Sequence, residues 1–302
     1  MRGLMHRLGP GWALLGLTAF AGPAAQQAQA QAQDSKIAVV AAENFYADIA
    51  SQIGGGHVAV TAIMSNPDED PHLFEVNPSV GRALAGARVV VYNGADYDPW
   101  MPKLVAATEG SARQVIVAAD LTGHKTGDNP HLWYDPATMP AVAKALAAAF
   151  EAADPSHKSD YEAGLAGFLD ALKPVEAKEA AIRSRFAGVP VTATEPVFGY
   201  MAEALGLQMR NQRFQLAVMN EAEPSAADTA AFEDDLRHRK VRVFLYNSQA
   251  TDSAAERLLK IARDSKVPVV GVSETEPKDK KFQEWMTSEL DALDKALSTP
   301  AP

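Results

Sequence analysis

Residues 37–50, IAVVAAENFYADIA, decide the fold, because residues 189–202, VPVTATEPVFGYMA, repeat their pattern later in the chain. Each stretch opens with a short apolar run that is typical of a buried strand and continues into apolar residues at helical spacing. A glycine follows each predicted helix, Gly54 in the first stretch and Gly206 in the second. The two stretches align without a gap, which indicates an internal duplication.

Two further pairs of segments extend the duplication in the same order. The first pair is a helix start followed by a strand, residues 77–79 and 89–93 in one half and residues 223–225 and 243–247 in the other. The second pair consists of the strands at 115–118 and 267–270. Strands that alternate with helices predict a parallel sheet with helices on both faces. We therefore expect an α/β protein with two Rossmann-like lobes.

The stretch between the halves, residues 154–187, has no strand signal. It begins with Asp154 and Pro155, a helix cap followed by a proline at the first helical position, and is rich in alanine, leucine, lysine and glutamate. We predict one long helix here that joins an N-terminal lobe (31–153) to a C-terminal lobe (188–302). Two lobes that face each other across a cleft are suited to enclosing a ligand.

The first thirty residues have the features of a secretory signal peptide. Arg2 and Arg7 precede an apolar core at 11–22, and an A-x-A cleavage pattern follows at 28–30. The apolar core is shorter than the ~20 residues that a helix needs to span a bilayer. Because the sequence has no cysteine to carry a lipid, we expect a soluble periplasmic protein that is released by cleavage and not lipid-anchored.

Composition narrows the classes of function. The 302 residues are 47% hydrophobic and 22% charged, which is typical of a folded protein, and the formal net charge is −10. The acidic balance argues against nucleic-acid binding, which needs a basic surface. The absence of cysteine excludes disulfides, iron–sulfur clusters, thiolate zinc sites and thiol catalysis.

Two histidines occupy nearly identical settings, His72 in DPHLF (70–74) and His131 in NPHLW (129–133). The proline before each histidine restricts the backbone, so the imidazole is presented from a stiffened loop. Imidazole is the commonest metal ligand in proteins. A single such histidine would more simply cap a helix or fill a polar pocket, but the repeated motif favours metal ligation. In contrast, we expect His57 to be a turn residue and His157 to be a surface residue.

Two glutamates complete the predicted site. Glu195 and Glu274 each follow the end of a predicted strand, where open α/β sheets bind their ligands. Two carboxylates would neutralise a divalent cation held by two imidazoles. The alternative for Glu195 is a solvated acid at a helix N-terminus. Each of these two ligand positions has alternatives. Glu276, Asp279 or a water could replace Glu274 as a ligand, and Glu221, Glu223 or a water could replace Glu195.

At these positions the sequence resembles the periplasmic metal-binding proteins of zinc and manganese ABC importers. The resemblance covers nearly the whole chain after the signal peptide and includes FYADIA (45–50), DPH (70–72), NPS (77–79), PHLWYDP (130–136) and FGY (198–200). It implies two α/β lobes joined by one long helix, with a metal site in the cleft. His72 and His131 match the first two ligands of the family.

The same resemblance bears on the choice of metal. Glu195 stands where zinc-type members carry a third histidine and manganese-type members carry glutamate, and Glu274 is the nearest match to the usual fourth ligand, an aspartate. The implied cargo is one divalent ion, zinc or manganese, with iron(II) as a further option. The implied partner is the membrane permease of an ABC importer, and we expect the protein to be a monomer.

The competing hypothesis is a metal-dependent enzyme with a site of two histidines and a carboxylate. No H-E-x-x-H motif is present, and the candidate ligands come from four separate loops. A closed site with four protein ligands also lacks the open coordination position that catalysis needs. The sequence therefore favours a solute-binding protein.

Overall fold

The computed structural model describes residues 36–66, 74–108, 113–249 and 253–300. These residues form two four-stranded sheets in which all pairs of neighbouring strands are parallel. The strands of the first sheet are β1 (Ile37–Glu43), β2 (Val58–Met64), β3 (Val89–Tyr92) and β4 (Gln114–Val117). Those of the second sheet are β5 (Pro190–Ala193), β6 (Gln208–Arg210), β7 (Phe244–Asn247) and β8 (Val269–Val272).

The two sheets have the same topology. The strand order is β2-β1-β3-β4 in the first sheet and β6-β5-β7-β8 in the second. The repeated stretches at 37–50 and 189–202 supply β1 and β5, and each of these strands pairs with two neighbours at the equivalent position of its sheet. The predicted fold class, two α/β lobes with one parallel sheet each, is confirmed.

Helices cover the sheets, and their starts follow the sequence signals. The first lobe contains α1 (Asn44–Gly54), α2 (Pro78–Gly86), α3 (Met101–Ala107), α4 (Ala118–Thr122) and α5 (Thr138–Ala153). The second contains α7 (Gly199–Ala204), α8 (Gln212–Met219), α9 (Ala226–Arg237), α10 (Ser253–Asp264) and α11 (Phe282–Ser298). The duplicated motif predicts helix starts at 77–79 and 223–225, and α2 and α9 begin there, capped by the side chains of Asn77 and Ser225, which accept backbone N–H groups.

One long helix, α6 (Lys158–Phe186), runs between the halves of the chain and continues through Pro174. A short 3-10 turn, Pro155–His157, precedes it. The helix packs against α1 and α5 of the first lobe and against α11 near the chain end. Within the described ranges, no helix combines the length and the apolar character that crossing a membrane requires.

Aromatic side chains from both lobes meet beneath the strand ends. The Phe45 ring lies 4.9 Å from Trp133 and 6.0 Å from Trp285 of α11, measured between ring centroids. Tyr134 bridges the same group, 5.8 Å from Trp285 and 5.0 Å from Phe198. Such aromatic pairs add to the stabilisation from buried area. The lobes therefore share one hydrophobic core under the loops that carry the predicted ligands.

Candidate metal centre

Buried polar side chains collect at the carboxyl ends of the strands in both lobes. Each of them is at most 6% exposed: Glu43, Asn93, Glu195, Asn247 and Glu274. Polar groups this deeply buried need partners, and carboxylates cost more to bury than amides. Because parallel strands place their carboxyl ends at one edge of a sheet, the loops of the two lobes bring these groups to a common region.

His131 is the best-defined candidate ligand. Its side chain is 1% exposed, and its Nδ1 lies 2.6 Å from Oδ1 of Asn129. That oxygen also accepts the backbone N–H of His131, so it is an acceptor, and the proton of the imidazole sits on Nδ1. In the neutral ring the lone pair is then on Nε2, and this atom has no hydrogen-bond partner among the described residues. This is the arrangement in which a ligating histidine presents its lone pair to a metal.

Asn129 ties the His131 loop to the second lobe. Its Nδ2 donates to the carbonyl of Pro196 at 2.8 Å, and its own carbonyl accepts the Tyr200 hydroxyl at 2.8 Å. Pro196 directly follows Glu195. One asparagine therefore fixes the tautomer of His131 and the backbone position beside Glu195.

Glu274 faces His131 from the other lobe. Its Oε2 lies 3.7 Å from Nε2 of His131, and neither side chain is more than 1% exposed. The hydroxyl of Tyr97 donates to Oε2 at 3.0 Å, and Nδ2 of Asn247 donates to Oε1. Burial, followed by the charges of Glu274 and Glu43, raises the pKa of Tyr97 well above its ordinary value. Tyr97 therefore keeps its proton and remains a donor to the carboxylate.

Glu195 is buried in a way that does not fit a solvated helix cap. It is 6% exposed, and its side chain makes no capping hydrogen bond to the 3-10 turn Pro196–Phe198 that follows. Within the described chain, however, Glu195 does not join His131 and Glu274 in a group whose ligand atoms all lie within 4.8 Å of one another.

His72, the other predicted histidine ligand, lies outside the described residues, and so does the predicted signal peptide, residues 1–30.

The alternative acids are less suited to ligation. Asp279, Glu221 and Glu223 are exposed. Glu276 is 6% exposed, but burial, with the charges of Asp48 and Glu284, raises the pKa of its carboxyl to about 9. A metal ion would have to displace this proton in order to bind Glu276 near neutral pH.

Glu43, which is fully buried at the end of β1, is not among the residues that the sequence motifs predict for the site. Neither of its carboxylate oxygens makes a well-formed hydrogen bond within the described chain, although the Asp98 carboxyl lies close enough to share a proton with it. Burial, followed by the charge of Asp98, raises the pKa of Glu43 well above its ordinary value. A signal for it was present, because the ungapped alignment of the two halves pairs Glu43 with Glu195.

Asn93 holds the proline before His131 in place. Its Nδ2 donates to the carbonyl of Pro130 at 2.8 Å, and its Oδ1 accepts the hydroxyl of Tyr46 at 2.8 Å. Asn93 follows β3 as Asn247 ends β7, and each contacts a candidate ligand or its loop. The duplication thus extends to the residues that support the site.

The chain matches a family of known proteins over most of its length. The family model described as "Zinc-uptake complex component A periplasmic" matches residues 39–296. The manganese ABC transporter substrate-binding lipoprotein PsaA of Streptococcus anginosus is 23% identical over 290 residues, covering 87% of this chain and 90% of that protein. A putative metal-binding protein of Treponema pallidum is 23% identical over 287 residues, with 87% and 88% covered.

Solved structures share the fold. The periplasmic zinc binding protein TroA from Treponema pallidum superposes with a TM-score of 0.74 at 20% identity, covering 87% of this chain and 99% of that one. A Mn-bound periplasmic metal binding protein from Candidatus Liberibacter asiaticus superposes with a TM-score of 0.70 at 16% identity, covering 86% and 98%.

Proposed function

Since the chain belongs to the zinc-uptake complex component A family of periplasmic proteins, we propose that it captures a divalent transition metal outside the cytoplasm and delivers it to the permease of an ABC importer. The relatives named as substrate-binding proteins of metal ABC transporters support this function. The metal is the cargo of the protein and not a resident cofactor.

The observation that carries the proposal is the pair formed by His131 and Glu274. An unpartnered imidazole nitrogen, buried in the protein, faces a carboxylate oxygen at 3.7 Å across the junction of the lobes. Buried polar atoms without partners are rare and call for an explanation. A metal ion bound by both side chains would give Nε2 of His131 the partner that it lacks.

We propose a ligand set of His72, His131, Glu195 and Glu274. Each ligand comes from a separate loop, two from each lobe. The proposed boundaries are 31–153 for the N-terminal lobe, 154–187 for the linking helix and 188–302 for the C-terminal lobe. The set has the charge of two carboxylates and neutralises a divalent ion. Four protein ligands leave no open coordination position for water or substrate, which favours transport over catalysis.

The mixed nitrogen and oxygen ligands accept several metals. Carboxylate oxygen suits manganese and iron(II), whereas imidazole suits zinc as well. Zinc exceeds manganese in intrinsic affinity at most sites. We propose that the cargo is zinc or manganese. The metal that the protein retains when it is purified from the cell envelope identifies which of them is the physiological cargo.

We propose that the protein is located in the periplasm after its leader is cleaved. We also propose that it is a monomer and that it has no lipid anchor. Several relatives are named lipoproteins, so attachment needs its own test. We expect osmotic shock to release the protein. Recovery only after detergent treatment would instead demonstrate an anchor.

Replacement of His131 by alanine tests the metal-binding function. We expect affinity for zinc and manganese to fall by more than about 100-fold, since loss of a supporting residue alone typically costs 10–100-fold. The measurement is a competition titration at fixed pH, with His238→Ala as the control because His238 is an exposed histidine at the end of α9. Unchanged affinity in a folded His131→Ala protein would contradict the proposal.

A further inference from the structure

A second group of metal-binding side chains lies away from the cleft. His57 ends the 3-10 turn that directly precedes β2, so it stands at the amino edge of the first sheet. Asp154 and His157 belong to the turn between α5 and α6. His131 and Glu274 follow the opposite, carboxyl edges of the sheets. The second group therefore shares no residue or loop with the proposed cargo site.

The two histidine rings are stacked. Their centroids are 3.9 Å apart, with 23° between the ring planes. Nδ1 of His157 lies 2.6 Å from Oδ2 of Asp154, and Nε2 of His57 lies 3.0 Å from Oδ2 of Asp160. Across the described parts of the chain, His57, Asp154 and His157 are the only three such side chains whose ligand atoms all lie within 4.8 Å of one another.

We propose that His57, Asp154 and His157 form a second binding site for a divalent transition metal of the zinc class. Zinc binds imidazole nitrogen at about 2.0–2.1 Å and carboxylate oxygen at about 2.0–2.2 Å. The ligand atoms of the three side chains lie within 4.8 Å of one another, and rotation of the two rings out of their stacked arrangement lets their lone pairs converge on one ion. Asp160 orients the His57 ring, as carboxylates commonly do for ligating histidines.

This second site is open to solvent. The exposed side-chain fractions are 32% for His57, 34% for His157 and 24% for Asp154. Water completes the coordination, and the ion exchanges more readily than one enclosed between the lobes. Metal bound here joins the start of β2 to the turn before α6. It therefore stabilises the first lobe whether or not the cargo site is occupied.

Zinc titration of the untagged chain without its leader tests this site. We use His131→Ala/Glu274→Gln as the cleft variant, because it removes the best-defined ligands of the cargo site. We expect two zinc ions per wild-type molecule, one in the cleft variant, and none when His157→Ala is added to it. The control is His238→Ala in the cleft variant, since His238 also pairs with an aspartate, Asp234, but has no second imidazole beside it.

The outcomes separate the two proposals. If the folded cleft variant binds no zinc, the second site does not exist, and the cargo proposal is unaffected. If it binds zinc equally well with and without His157→Ala, the second site does not exist, and the roles of His131 and Glu274 in the cargo site are contradicted as well. If His157→Ala alone removes all zinc while the cleft variant binds normally, the second site stands and the cargo site is wrong. A melting curve followed by circular dichroism establishes that each variant is folded.

Discussion

At the scale of single residues, Asn129 has the largest share in building the site. It fixes the proton of His131 on Nδ1 and holds the backbone next to Glu195 through Pro196. An asparagine is suited to this role because its amide offers an acceptor and a donor at once. It therefore links ligands from both lobes without itself touching the proposed ion.

Replacing Asn129 by alanine should weaken metal binding while leaving the fold intact. We expect about a 10–100-fold loss of affinity, which is typical when a residue that orients a ligating histidine is removed. Competition titration measures the loss, and Asn220→Ala is the control because Asn220 is exposed and bonds only within α8. A change of less than about twofold would show that the histidine is oriented without Asn129.

Glu43 makes the stability of the metal-free protein depend on pH. Because the pKa of Glu43 is raised above its ordinary 4.5 in the folded protein, the folded chain holds this proton at pH values where the unfolded chain has lost it. The resulting stability is fully present below the ordinary pKa and is lost as pH rises toward the folded value. Burial also raises the pKa of Asp98 to about 6, which acts in the same direction.

Glu43→Gln should remove much of this dependence. We expect the metal-free variant to exceed the wild type in stability by about 1–3 kcal/mol at pH 8, because the amide is neutral in both states, whereas the ionised carboxyl of the unfolded wild type must take up a proton or be buried as a charge on folding. The gain should shrink toward pH 5. Denaturant unfolding at both pH values measures it, with the exposed Glu75→Gln as control. Equal pH dependence in wild type and variant would contradict the raised pKa of Glu43.

The candidate residues differ in how far the sequence could reveal them. The proline–histidine motif predicts His131 because proline restricts the local backbone, and the strand end predicts Glu274. The partners of Glu274, Tyr97 and Asn247, come from different lobes, and only the folded arrangement brings them together. Glu43 was open to prediction from the duplication alone.

At the scale of elements, helix α6 depends on a close approach to α1. A Cβ atom on Gly164 would lie 2.3 Å from the carbonyl oxygen of Ile53, near the end of α1. Backbone atoms cannot move aside as a flexible side chain can. Gly167, less than one turn further along the same helix, has no atom within 4 Å of the equivalent position.

These two glycines form a matched pair of variants. Gly164→Ala should destabilise the protein by about 1–3 kcal/mol, since the added methyl forces the helices apart. Gly167→Ala should stabilise it by up to about 1 kcal/mol, because alanine is the better helix former. Chemical denaturation measures both. Similar effects from the two changes would contradict the contact between α6 and α1.

Local sequence signals predicted the elements better than their contacts. Asp154, Pro155 and the alanine-rich stretch indicate a long helix, and the helix runs from Lys158 to Phe186. The contact of Gly164 with Ile53 joins residues far apart in the chain. No periodicity encodes such a pairing, because it depends on how the helices cross.

At the scale of the whole molecule, the duplicated sheets predict two lobes, but the sequence gives no indication of how the lobes meet. Phe45, Trp133 and Trp285 come from distant segments and pack under the strand ends. This shared core brings Glu274 within 3.7 Å of His131. We therefore expect one metal ion to be held between the lobes by residues from both.

The most direct test locates the ion itself. Crystals of the metal-loaded protein, with diffraction collected on both sides of the absorption edge of the bound metal, give an anomalous peak at each ion. We expect the strongest peak between Nε2 of His131 and the carboxylate of Glu274, with His72 and Glu195 completing the coordination. A cleft without a peak, in crystals whose protein retains metal in solution, would contradict the account.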